Sequence, residues 1–186
     1  MLWVAALAFG LIVGFATRGS LENLARIRLR WPWLVVATLL VRAAVLLTPI
    51  NRVDGVQYLY LAALTVLVAW TFWQIELVRG IWLIAAGSAL NLVVIAANGA
   101  RMPVAPELAG TLVQRGHLGQ YTLMSPDTTL NWLADWIGLP GSLGQALREA
   151  YSPGDVIVAL GIAFVIIFAM RSRSDETNRR IVSDPP

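Results

Sequence analysis

The chain has 186 residues, of which 58% are hydrophobic and 13% charged, and its formal net charge is +3. A soluble domain carries roughly 25% charged residues and, at this length, exposes too much of itself to hide so many apolar side chains, so the composition points to a membrane protein. Cysteine is absent, His117 is the single histidine and all 14 basic residues are arginine, which excludes disulfides, thiolate and multi-histidine metal sites and lysine Schiff bases.

Five apolar runs follow in order: Met1–Thr17, Trp31–Pro49, Val56–Trp73, Ile81–Asn98 and Val156–Met170. Each is at or below the low end of the roughly 17–25 helical residues that cross a bilayer, and interfacial tryptophan and arginine extend them. No alternation of period two is visible, which argues against a β-barrel. The expected fold class is therefore all-α: a polytopic transmembrane helix bundle of five spans, with residues 1–170 as the membrane domain. The first run has no basic residue before Arg18 and no small-residue cleavage site, so it reads as a span and not as a signal peptide.

Arginine placement sets the orientation. Four lie in Arg18–Arg30, one at Arg79 and four after Met170, whereas Arg52, Arg101, Arg115 and Arg148 fall on the other side. Cytoplasmic loops collect arginine, so the N-terminus is expected outside and the C-terminus in the cytoplasm of a plasma-membrane protein. Trp31, Trp33, Trp73 and Trp82 sit near run ends, where amphipathic rings prefer the headgroup level. Gly10 and Gly14, one turn after Ala6, form a stripe for close helix packing. The polar end, residues 171–186, is expected to be a disordered cytoplasmic tail.

The outer loop, residues 99–153, is long enough to hold structure of its own. Ser125-Pro126-Asp127 reads as a helix start, followed by Leu130, Leu133, Ala134 and Ile137 on one face, with Trp132 and Trp136 beside it. Leu143, Ala146, Leu147 and Ala150 repeat the spacing, so two short interfacial helices are expected. Ser152-Pro153-Gly154-Asp155 then opens the last run.

Polar residues gather toward the outer side. Arg42 and Asn91 lie inside apolar runs, Asn98 shares the face of Asn91 seven residues on, and Arg101, Asp135 and Asp155 lie at the outer boundary. Arg42, Asn91, Asn98 and Arg101 are candidate binding residues, and Asp135 with Asp155 a candidate catalytic dyad. Each has a plain structural reading beside the functional one. Arg42 snorkels, Asn91 joins helices, Asp155 closes a capping box with Ser152, Asp135 is a solvated surface acid and His117 a loop residue. The expected partners are membrane lipid and, beyond it, a membrane protein or a second copy of the chain. No cofactor, metal or nucleic acid is expected.

Asn98-Gly99-Ala100-Arg101-Met102-Pro103-Val104, Leu133-Ala134-Asp135 and Ser152-Pro153-Gly154-Asp155-Val156 together resemble an uncharacterised bacterial family of small multispan membrane proteins. Members of that family carry Asn-Gly-Gly-x-Met-Pro-Val after a late span, and here Ala100 replaces the second glycine. The resemblance implies a multispan topology and no activity. A fainter likeness is to prolipoprotein signal peptidase, a membrane aspartyl protease with two aspartates about twenty residues apart, as Asp135 and Asp155 are here. That family has four spans, and its Asn-x-Ala before the second aspartate is Ser-Pro-Gly in this chain. Two functions are thus weighed: a non-catalytic membrane protein that binds a partner or lipid at its outer face, and an aspartyl peptidase-like hydrolase acting on a lipid-embedded substrate.

Overall fold

The computed structural model describes residues 1–47, 53, 55–109, 120–138 and 149–183, and leaves aside the side chains of Arg42, residues 45–47 and residues 172–183. The chain is mostly helical. Its elements are α1 (Leu2–Ala16), α2 (Leu21–Ala25), α3 (Trp33–Leu47), α4 (Val56–Trp73), α5 (Ile81–Ala97), β1 (Met102–Val104), α6 (Pro106–Ala109), β2 (Tyr121–Leu123), a single 3-10 turn (Asn131–Leu133), β3 (Ile137–Gly138), β4 (Ala150–Tyr151) and α7 (Pro153–Ser183).

Each of the five apolar runs contains a helix, but length separates them. Among the described residues, α4 and the stretch Pro153–Arg171 of α7 are long and apolar enough to cross a membrane. α1 and α5 are equally apolar but have 15 and 17 residues. α7 packs chiefly on α5 and α1, and α4 lies between α5 and α3. Small residues set these approaches: a Cβ on Gly10 would stand 3.1 Å from the Ala163 Cα, and Gly14 meets the Met170 side chain. The stripe read from the sequence is thus the seam between α1 and α7.

The helices present large apolar side chains outward, among them Val4 and Ile12 on α1, Leu39 and Leu40 on α3, and Tyr58 and Leu59 on α4. At one end the chain is tied by buried polar groups. Ser20 N–H and Asn23 Nδ2 both donate to the Met170 carbonyl, at 3.0 and 2.8 Å. The fully buried Gln74 accepts from Arg30 N–H at 2.9 Å and donates to the Arg30 carbonyl, which also receives Trp70 Nε1. Trp31 stacks on Trp33 and meets Trp73 edge-on at 5.4 Å, while the Arg30 guanidinium lies over the Trp73 ring.

The opposite end departs from the sequence reading. No helix follows Ser125; Thr128 and Asn131 turn back on the Ser125 carbonyl, and Leu130 adopts φ +58°, which a helix does not continue. The apolar residues expected on an interfacial helix do share a destination: Leu133 and Ala134 are buried against Val94 and Ile95 of α5 and Met102 of β1. Tertiary packing has overridden local periodicity. The second expected interfacial helix falls mostly outside the described residues, and its last member, Ala150, belongs to β4. The strands are two or three residues long, too short to show alternation in the sequence. The backbone of α7 is helical as far as Ser183. No glycine or proline interrupts residues 171–183.

Candidate functional site

β1 is the axis of the end of the bundle opposite Arg30 and Gln74. A left-handed turn at Gly99 and Ala100, with φ +65° and +64°, carries the chain out of α5 and into it. On one side β1 pairs in parallel with β2, and Met102 N–H donates to the Gln120 carbonyl at 2.8 Å. On the other side it holds Asp135: Asp135 N–H donates to the Pro103 carbonyl at 3.0 Å, and Ala105 N–H to the Asp135 carbonyl at 2.9 Å. Main-chain bonds alone therefore set Gln120 and Asp135 on either side of one strand.

α7 supplies the facing group. Asp155 N–H donates to Ser152 Oγ at 2.9 Å and Ser152 N–H to Asp155 Oδ2 at 3.0 Å, which is a capping box with aspartate in the usual glutamate position. Asn91 of α5 completes the arrangement, its Nδ2 donating to Asp155 Oδ1 and its Oδ1 accepting from Ser152 Oγ, both at 2.8 Å. Asn91 thus joins α5 to α7, and both Asp155 oxygens are occupied.

Asp135, Asp155, Asn91 and Gln120 line one cavity of about 220 Å³, with Tyr60, Tyr121 and Tyr151 among its walls. Asp135 Oδ1 and Gln120 Nε2 are buried there without a hydrogen-bond partner among the described residues. An unmet acceptor and an unmet donor facing one space are each costly, by about 1–3 kcal/mol. Burial, reinforced by the Asp155 charge, pushes Asp135 up to about 8, so it is protonated at neutral pH. The sequence reading of Asp135 as a solvated surface acid is overturned, because it is only 5% exposed. Above the cavity, Tyr151 Oη accepts from Leu2 N–H at 3.0 Å and donates to Glu149, so α1 closes on β4.

The remaining candidates lie elsewhere. Asn98 shares a helix face with Asn91 but serves another purpose: its Nδ2 donates to the Val94 and Thr129 carbonyls, and its Oδ1 accepts from Thr129 N–H. This two-sided clamp fastens the 125–131 turn to α5. Asn98 and Arg101 line a second cavity, of about 450 Å³, with Asp127 and Thr128. Asn98→Ala is expected to speed hydrogen exchange of the Thr129 amide by at least tenfold while leaving α4 and α5 protected, read by exchange mass spectrometry. The Arg42 side chain and His117 lie outside the described residues. Among the described residues no group of three or more His, Asp or Glu could hold a metal ion.

Sequence reasoning missed Gln120, Tyr151 and the tie between Ser152 and Asn91. Ser152 is itself the recognisable cap and Tyr151 adjoins it, which was a usable signal; Gln120 had none, because only its pairing with β1 brings it inward.

The family of unknown function DUF5317 matches residues 26–167. The chain belongs to this family. The matched DUF5317 region includes every candidate site residue and ends just short of the end of the apolar part of α7. No curated protein and no solved structure matches the chain.

Proposed function

We propose that the chain is a five-span plasma-membrane protein, N-terminus outside and C-terminus in the cytoplasm, whose outer end is a non-catalytic docking site. The outward apolar side chains on α1, α3 and α4 support the spans, because a water-facing protein rarely exposes such continuous apolar surface. The observation that carries the docking role is the pair of unmet buried groups, Asp135 Oδ1 and Gln120 Nε2, in one cavity. A neutral Asp135 and a glutamine amide together match a group that both donates and accepts, such as a carboxamide or peptide group presented by a partner. The exposed Trp132, Trp136 and Leu123 supply the apolar contacts that accompany such a polar anchor at an interface.

Both parts are testable. The cysteine-free chain admits single cysteines: Glu107→Cys should react with an impermeant maleimide on intact cells, and Glu76→Cys only after permeabilisation. Labelling of both from outside would overturn the orientation. N-methylacetamide should raise the unfolding midpoint of the full chain in detergent but not that of Gln120→Leu; an equal response in both would remove the cavity as the site.

The hydrolase reading retains one specific support, two acids on one cavity with Asp135 held neutral. Against it, both Asp155 oxygens already serve the start of α7 and Asn91. It requires that Asp135→Asn and Asp155→Asn each abolish cleavage of a lipid-embedded peptide at unchanged protein level.

A further inference from the structure

The opposite end of the bundle carries a groove of about 320 Å³ whose rim is basic and whose floor is apolar. Arg26, Arg28 and Arg79 line it, over Leu77, Val165 and Phe168. Arg26 is matched by Glu22 one turn earlier. Arg28 and Arg79 are exposed and stand within salt-bridge distance of no carboxylate among the described residues. Among the described residues, two cations thus face the groove without a carboxylate partner.

The segment that carries Arg26 and Arg28 is not a loose loop. It is fixed before by Asn23, buried and bonded to the Met170 carbonyl, and after by Gln74 and Trp70, which hold both backbone groups of Arg30. Asn23 and Gln74 are among the few buried polar side chains of the described chain, and both are used to position this short arginine-bearing stretch. Arg79 comes from the α4–α5 connection, so the rim is assembled from two separate loops against α7.

We propose that this groove binds an acidic phospholipid of the surrounding bilayer, its phosphodiester between Arg28 and Arg79 and its acyl portion along Val165 and Phe168. The charge selects an anion, and the apolar floor continuous with the outer surface of α7 selects one that carries hydrocarbon, which a free phosphate does not. The site lies at the end that the proposed orientation puts in the cytoplasm, so it rests on the membrane-spanning part of that reading and not on the docking role.

The test uses the full chain, purified in detergent and titrated by native mass spectrometry with dioleoyl phosphatidylglycerol, dioleoyl phosphatidylcholine and inorganic phosphate. Phosphatidylglycerol should bind at least tenfold more tightly than phosphatidylcholine, and Arg28→Gln with Arg79→Gln should remove most of that preference. Arg171→Gln, an exposed arginine outside the groove, should keep it, which separates a site from net charge. Equal binding of the two lipids, an unchanged preference in the double variant, or displacement of the lipid by millimolar phosphate would each overturn the proposal. Reconstitution into pure phosphatidylcholine vesicles distinguishes the two layers. A chain that enters them yet shows no preference for phosphatidylglycerol fails only here, and one that enters no vesicle of any composition fails as a membrane protein.

Discussion

Gly154→Ala is expected to destabilise the fold by about 3 kcal/mol, at the upper end of the cost of overpacking a filled interior. A Cβ at this position would stand 2.0 Å from Asn91 Oδ1 and 2.7 Å from the Gly87 carbonyl. Asn91 cannot swing away without abandoning both Asp155 and Ser152, and the Gly87 carbonyl is helix backbone. Gly87 has the reciprocal problem, its own Cβ falling 2.5 Å from the Gly154 carbonyl. α5 and α7 therefore touch backbone to backbone at this level, and one methyl group must either separate them or break the Asn91 bridge. Gly99→Ala is the natural comparison, because nothing lies within 4 Å of its Cβ and only its φ of +65° is strained. Its expected cost is about 1 kcal/mol. The check is thermal unfolding of each full-length variant in one detergent; equal midpoints for Gly154→Ala and wild type would mean that the two helices do not meet in this register.

The stability of the wild-type chain is expected to fall as pH rises from 5 to 8, and that of Asp135→Asn to stay nearly level. The Asp135 carboxyl is raised from 3.8 to about 8 by burial first and by the Asp155 charge second. Between those two values the unfolded chain has released a proton that the native state retains. The native state thus binds more protons, and stability decreases with pH: the contribution is whole below the unfolded value and gone once pH passes the folded one. The total is on the order of a few kcal/mol across the window. Asparagine cannot ionise and keeps the shape of the neutral acid, so the variant should match wild type only below the unfolded value of 3.8 and exceed it by a margin that widens from pH 5 to pH 8. Of the other groups on the cavity, Tyr151 is pushed above its ordinary value chiefly by burial and stays protonated throughout. Glu149 is shifted down, chiefly by its bond to the Met1 amine, so its titration falls below the window. Replacing His117 by Gln in both backgrounds removes the remaining histidine titration. A level wild-type profile would show that Asp135 is already ionised and solvated.

What could be read in the sequence followed from periodicity and spacing. Runs of apolar residues gave the positions of α1, α3, α4, α5 and α7 because hydrophobic length is a property of the chain alone. Ser152 and Asp155 gave the start of α7 because a capping box is confined to four residues. The segment between α5 and α7 resisted the same treatment. Leu133 and Ala134 had helical spacing, yet β1 captured Asp135 and α5 captured Leu133, neither of which the local sequence encodes. Asn91 and Asn98 were correctly placed on one face, but a helix face does not say what stands opposite: α7 for one and the 125–131 turn for the other. Asp135 shows the limit most clearly. Its burial comes from a strand 31 residues earlier, so composition and spacing could mark it as a candidate but not as a neutral one.

The tie between Asn91 and Ser152 spans 61 residues of sequence. At ribosomal speeds of 5–20 residues per second, roughly 3 to 12 s separate the synthesis of the two. For that interval Asn91 is an amide in an apolar helix with its lasting partners still unmade. Biogenesis of this chain thus includes a period in which α5 is recognisably unfinished, and it ends only when Ser152 and Asp155 arrive. A product truncated before Ser152 would remain in that condition permanently, carrying an unpaired polar mark by which quality control could tell it from the completed protein.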